Sequence, residues 1–392
     1  MNPDSNPDNV LAASSHRNPY PYYAELVAGP ALVFDAPRKL WIASSAAAVE
    51  EVLGNPACRV RPLAEPVPAA IVGSAAGEVF GYLVRMNEGL RHDAPKLALQ
   101  RFLAAVDLDA VQAKAQALAL QRTGEGDLRG AALSQWAFDV PVMAVAELLG
   151  FDEAELPQVA RWMGDFVACL SPLSTPEQLE AAGNAASALL GRFSELVKTS
   201  AARPGSALAR LRQEAAQAGW HDARALLCNA IGLLSQTYEA TAGLVGNSIV
   251  ALATQPGMLE AMGREPGRLL QMVHEVSRYD PSIHNTRRFV AEATEVAGIS
   301  LQPGDAVLVL LVAAGRDPAC NARPDEFLLE REDREVPGFG HGAHQCPGQA
   351  LACAIAAAAV QALLVSGRLK EAASFSWDYR SSMNARIPVF TG

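Results

Sequence analysis

The stretch Phe339-Gly340-His341-Gly342-Ala343-His344-Gln345-Cys346-Pro347-Gly348, followed by Gln349-Ala350-Leu351-Ala352, constrains this chain more than any other. Three glycines in ten residues permit tight turns and a close approach of backbone to a bulky planar group. Pro347 suits the first turn of a helix, and the Ala-rich run from Leu351 to Leu364 continues as that helix. Cys346 is therefore expected at a helix N-terminus, where unpaired N–H groups and the dipole favour a thiolate over a thiol. Such a loop presents one sulfur to a metal. A bare Cys-Pro-Gly would more simply be a turn around a buried, inert thiol. The metal reading rests on the whole string.

Half of the 392 residues are hydrophobic, enough to build a core around a cofactor. A net charge of −10 with no basic run argues against a nucleic-acid binder. The cysteines, at 58, 169, 228, 320, 346 and 353, lack paired spacing and suggest a reducing compartment, not a disulfide framework. The start, Met1-Asn2-Pro3-Asp4-Ser5, has no basic or apolar targeting region. The longest apolar stretch, around Leu226 to Thr254, is broken by Asn229, Gln236, Glu239 and Asn247, so it reads as a buried helix. A cytoplasmic protein without membrane contact is expected.

Along the chain, Ala31–Phe34 and Leu40–Ala43 read as a hairpin. Residues 96–219 carry a helical signal punctuated by Pro141, Pro157, Pro172, Pro176 and Pro204. Asp222 suits the N-cap of one long helix running to Thr254 and ended by Gln255-Pro256. Helices at 257–264 and 266–279 follow, then short strands across 283–312 and an irregular charged segment from Arg316 to Pro337. The pattern predicts a mainly α fold with small β-sheets, as a single domain over residues 1–392.

The pattern Phe-Gly-x-Gly-x-His-x-Cys-x-Gly-x-x-Leu-Ala in the cysteine stretch closely resembles the haem-binding signature of the cytochrome P450 family. That resemblance implies the P450 fold and haem b, with Cys346 as the axial iron ligand and Phe339, Gly340 and Gly348 in the haem loop. A thiolate in that place pushes electron density to the iron and favours O–O cleavage. Glu275-Val276-Ser277-Arg278 resembles the family's ExxR motif, an ion pair that ties into the segment before the cysteine; by itself it could be a surface pair. The haem propionates need cationic or hydrogen-bonding partners. The positions matching those partners are His92, Lys96, Arg288 and His344, with Lys96 offering a point charge where the family uses arginine.

The long helix resembles the one that crosses the oxygen-binding face in this family, where Ala-Gly-x-Asp/Glu-Thr is usual. Counting back from Gly246-Asn247, Glu239 falls on the acid, Ala240 on the threonine and Thr237 on the glycine. The acid–alcohol pair manages protons, and Ala240 has no hydroxyl. Thr241 lies about 100° farther round the helix, so an ordinary core role suits it better, whereas Thr237 lies on a similar face to Ala240.

The matching substrate-facing positions include Gln236, Tyr238, Ile283, His284, Asn285 and Met383, and Gln236 and Tyr238 cannot both face the haem. Their polarity favours a compact, polar substrate. The resemblance thus implies a monooxygenase or oxidoreductase acting on a small polar molecule in secondary metabolism. Its electrons would come from a ferredoxin and an NAD(P)H-dependent ferredoxin reductase, and its substrate arrives free or bound to a carrier protein. Two alternatives stay open. One is haem chemistry without oxygen insertion, such as phenol coupling, nitration, or reactions of peroxide or nitric oxide; the other is a non-enzymatic haem sensor.

Overall fold

A computed structural model describes residues 6–124, 128–171, 174–200, 205–369 and 375–391, so Met1–Ser5, Pro172 and Pro204 lie outside the described residues. The fold is mainly helical with small sheets. The expected hairpin forms β1 (Leu32–Asp35) and β2 (Leu40–Ala43), paired antiparallel with Val33 opposite Ile42. With β3 (Cys58–Arg59), β4 (Thr286–Val290) and β7 (Ala306–Val309) they make a five-stranded sheet of order β1-β2-β7-β4-β3. Only β2 and β7 run parallel there. The strands β5 (Thr294–Val296) and β6 (Ile299–Leu301) form a separate hairpin. Its two turn residues, Ala297 and Gly298, both have positive φ, matching a right-twisted two-residue turn. Finally, β8 (Ser376–Tyr379) pairs with β9 (Pro388–Thr391).

Seven helices build and surround the site: α1 (Asp93–Ala104), α2 (Leu108–Thr123), α3 (Gly130–Leu149), α4 (Leu156–Ala168), α5 (Ala223–Thr254), α6 (Leu269–Tyr279) and α7 (Gln349–Val365). The cap of α5 is the one expected: Asp222 Oδ1 accepts the N–H of Arg224 and of Ala225, each at 2.9 Å. With 32 residues, α5 is about 48 Å long and crosses the molecule. Two hydrophobic clusters share it. One gathers Phe102, Val142, Val159 and Leu234, the other Val140, Ile249, Val273 and Val360.

Pro141 does not end a helix. It sits inside α3, which continues for 20 residues. Proline costs a helix one backbone bond and a clash. Here residues on both sides of it, Val140 and Val142, are fully buried in the two clusters, and that packing overrides the break. Among the described residues α3 is the one helix with the length and apolarity to cross a membrane, and two-thirds of it is buried in protein.

Glycines let α5 approach its neighbours. A Cβ at Gly243 would lie 2.6 Å from Ser282 Cβ, and one at Gly246 would lie 2.9 Å from Pro388 Cδ. Arg386, only 2% exposed, fastens this corner. Its Nε donates to Asp280 Oδ1 at 2.7 Å, while Nη1 reaches the His16 carbonyl at 2.7 Å and Nη2 the Arg17 carbonyl at 3.1 Å.

Candidate functional site

The cysteine loop closes on itself where the Cys346 N–H donates to the Phe339 carbonyl at 2.8 Å. Gly340 (φ +76) and Gly342 (φ +66) take the left-handed conformations this closure requires. Helix α7 begins at Gln349 with Gly348 as its N-cap, so Pro347 lies in the turn before the helix, not in its first turn. Cys346 faces a cavity of about 390 Å³. Protein surrounds the side chain, yet it stays accessible because the open space it meets is that cavity.

Burial pushes the Cys346 thiol up, against the opposing pull of a Gly348 backbone hydrogen bond and the Lys96 ammonium. This corrects the expectation that the helix end alone yields a thiolate. The sulfur precedes the N-cap, and the proline after it has no N–H to offer. A bound metal ion, whose charge deprotonates a coordinating thiol outright, would complete the task.

Behind the loop, Glu275 and Arg278 form a fully buried pair at 2.6 Å. Arg278 also donates to the carbonyls of Pro324 at 2.8 Å and Glu326 at 2.9 Å. Glu275 accepts from the Leu328 N–H at 3.1 Å, from Arg331 at 3.3 Å and from Arg334 at 2.8 Å. Burial alone would raise the Glu275 carboxyl, but hydrogen bonds and charge from Arg278 and Arg334 hold it below the usual carboxylate value. The pair therefore locks the irregular segment that leads into the cysteine loop, which is scaffold work.

The structure brings together His92, Lys96, Arg288 and His344 along the cavity. The His92 and His344 rings lie 4.3 Å apart. His344 Nε2 is 3.0 Å from Glu88 Oε2, and Lys96 Nζ donates to the Gln345 carbonyl. Arg288 is buried yet among the described residues bonds only local oxygens, the Arg287 carbonyl at 3.0 Å and Thr286 Oγ1 at 3.4 Å. His92 Nε2 is buried with no protein partner.

These residues fit a haem. An orphaned imidazole nitrogen and a buried guanidinium suit a carboxylate, and the apolar wall from Leu99 and Phe102 suits a macrocycle. Among the described residues no cluster of three His, Cys, Asp or Glu could hold a bare ion, so a metal on Cys346 must bring its remaining ligands with it. Glu88, which the sequence pattern gave no reason to single out, is a carboxylate already seated beside His344.

On the facing wall, α5 presents Leu233, Gln236, Thr237, Ala240 and Leu244, a stripe of helical periodicity. Ala240 sits near its middle. Glu239 and Thr241 line its two edges, about 200° apart. Thr241, expected in the core, thus borders the cavity although it is 2% exposed. Thr237 Oγ1 donates back to the Leu233 carbonyl at 2.8 Å, and Glu239 pairs with Arg380 at 3.2 Å.

Tyr238 points the other way: its ring packs on Phe138 with centroids 4.8 Å apart and against Gly164. The rim contains Ile283 and Asn285, and also Asn384. His284 does not reach the cavity. It is fully buried beneath Tyr23, whose hydroxyl is 2.9 Å from His284 Nδ1. Met383 turns outward against Arg287, contributing only its carbonyl, which accepts from Asn285 Nδ2 at 2.8 Å. With Tyr238, His284 and Met383 removed and Leu99, Leu148 and Leu170 added, the walls are more apolar than the sequence pattern implies. Arg85, another cavity residue, carries no motif that sequence reading could have caught.

Known proteins share these features. The cytochrome P450 family model matches residues 268–370, from the start of α6 through the cysteine loop and α7. The chain is 30% identical over 224 residues to 6-deoxyerythronolide B hydroxylase of Saccharopolyspora erythraea, a match covering 56% of this chain and 54% of that protein. It is 29% identical over 359 residues to cytochrome P450 144 of Mycobacterium tuberculosis, covering 88% and 82%. The matched region thus spans about half of the hydroxylase and most of the second relative. A solved structure of P450BioI superposes with a TM-score of 0.80 over 95% of this chain and 97% of that one, at 21% identity. The cysteine loop facing its cavity, the locked segment behind it and these likenesses together support a bacterial-type cytochrome P450, a family whose haem iron is held by a cysteine.

Proposed function

We propose that residues 1–392 act as one unit, a cytoplasmic haem-thiolate monooxygenase that oxidises a small molecule in a biosynthetic pathway. The observation that carries this is the Cys346 sulfur facing a cavity edged by His92, whose Nε2 lacks a partner, and by buried Arg288. When bound, haem supplies oxygen activation, with electrons from a ferredoxin and its NAD(P)H-dependent reductase. Cys346 would hold the haem iron. His92, Lys96, Arg288 and His344 would hold its propionates.

On α5, Glu239 passes protons inward from its partly exposed position beside Arg380. Thr237 Oγ1, whose hydrogen is committed to the Leu233 carbonyl, keeps lone pairs to accept a hydrogen bond. The Ala240 methyl lies between the Glu239 edge of the stripe and the Thr237 and Thr241 hydroxyls, so a hydroxyl on the substrate bridges the gap. The substrate combines an apolar body, matched by Leu148 and Leu170, with polar groups matched by Gln236 and Asn285. P450BioI was solved with an acyl carrier protein bearing a fatty acid, which keeps carrier-bound delivery in play for this chain. Ala240 also favours a second reading, oxidation driven by peroxide without the proton relay.

The first test is optical. The reduced, carbon monoxide-bound protein is expected to show the thiolate spectrum, and Cys346→Ser to lose it with all activity; a thiolate spectrum surviving in Cys346→Ser overturns the assignment. Substrates are then sought by their shift of the ferric Soret band. Turnover that needs ferredoxin and NADPH supports the monooxygenase, whereas turnover with peroxide alone supports the second reading.

A further inference from the structure

The cavity wall holds a cation that the protein leaves without a partner. Arg85 lines the cavity, its Nε is buried without a hydrogen bond, and among the described residues it makes no ion pair or hydrogen bond at all. Other arginines with a buried Nε are not so placed: Arg61 donates to the Glu65 carbonyl at 2.7 Å, and Arg59 lies 3.8 Å from Glu292. A guanidinium stays charged at any working pH, so burying it unpaired is costly unless an anion joins it.

Nor is Arg85 loose. The preceding residue, Val84, donates its N–H to Asn229 Oδ1 on α5 at 2.8 Å, and Asn229 Nδ2 returns a bond to the Tyr82 carbonyl at 2.8 Å. Asn229 is 2% exposed, so this clamp holds the Arg85 backbone against α5 in advance.

Glu239, an acid whose charge acts on Arg85, is already paired with Arg380 at 3.2 Å. Glu239 thus has its ion pair elsewhere, and Arg85 keeps none of its own among the described residues. We propose that Arg85 binds a carboxylate of the substrate, making this cavity selective for a free organic acid with an apolar body. The inference rests on the monooxygenase reading above and names the substrate class for it. An acyl thioester or amide, having no carboxylate, is the poorer ligand.

A carboxylate could also come from haem. The experiment distinguishes the two sources. Calorimetric titration of the haem-loaded protein at pH 7.5 compares decanoate with decanamide, 4-phenylbutyrate with 4-phenylbutyramide, and indole-3-acetate with indole-3-acetamide. At least one acid is expected to bind about tenfold or more tightly than its amide, as a charge-assisted bond replaces a neutral one. Arg85→Gln should bring that pair within about threefold, and Arg85→Lys should keep part of the preference.

The proposal is overturned if no acid is preferred in the wild type, or if the preference survives in Arg85→Gln. It is equally overturned if Arg85→Gln speeds haem loss to apomyoglobin while leaving acid preference intact, because Arg85 then serves a propionate. The wild-type comparison stands even if the glutamine variant folds poorly. A missing thiolate spectrum defeats the monooxygenase reading; an intact spectrum without acid preference defeats only this inference.

Discussion

Two glutamate–arginine pairs flank the cavity, and they are built for opposite ends. Glu275–Arg278 is fully buried, and the arginine is shared with three backbone carbonyls while the glutamate serves three further donors. Glu239–Arg380 is a single contact with side chains 33% and 44% exposed. The first pair has no freedom left, so it fixes the loop that carries Cys346. The second can exchange its partner or its proton with solvent at little cost. A charge pair becomes scaffold or machinery according to how many partners surround it.

Breaking the buried pair is the sharpest way to test that contrast. Glu275→Ala strands Arg278, Arg331 and Arg334 beside one another, and a loss of about 3–5 kcal/mol is expected in urea unfolding, with little haem-loaded protein recovered. Normal stability in that variant would erase the distinction between the pairs. Next comes the close packing of α5 on the segment 281–283 at the cavity rim. Gly243→Ala places a methyl 2.6 Å from Ser282 Cβ, and about 1–3 kcal/mol should be lost to the displaced 281–283 turn, read as a lower melting temperature.

A third, smaller effect depends on pH. Burial, with the Arg386 and Arg316 charges, holds His284 well below the ordinary histidine value. The unfolded chain therefore takes up a proton that the folded one refuses. Stability from this group is full above the unfolded value of about 6.5 and declines as pH falls below it, by up to about 1.4 kcal/mol per pH unit. Urea midpoints at pH 7.5 and 5.5 should differ less in His284→Gln than in the wild type; equal differences would sink the assignment. The smallest expected change in stability is that of Glu239→Gln, under about 1 kcal/mol, because its pair is exposed. Its signature lies instead in proton delivery, as a larger solvent isotope effect on turnover.

The same contrast explains what the sequence disclosed. The cysteine loop, the ExxR pair and the Asp222 cap were legible because each is a local pattern whose chemistry demands particular residues at fixed spacing. The hairpin of β1 and β2 was legible for the same reason. The distal wall was legible only in part. Periodicity gives the angle between Gln236 and Tyr238 but not which of them meets the cavity, since that phase is set by Phe138 and Gly164, from α3 and α4. Likewise Pro141 looked like a helix end until the packing around Val140 and Val142 was known. His284 and Met383 share a segment with true rim residues, yet adjacent residues in an extended chain point to opposite sides. Arg85 and Glu88 belong to no motif; only the assembled cavity gives them meaning.

Arg386 carries a consequence for how the molecule comes into being. Its guanidinium secures the His16 carbonyl across 370 residues of sequence. At typical synthesis speeds of about 5–20 residues per second, the two ends of that bond leave the ribosome on the order of 20–70 seconds apart. The amino-terminal segment must therefore wait, unfastened, while nearly everything between is made. Assembly of this corner is a late event after synthesis, and haem capture that precedes it meets a protein whose outer corner is still open.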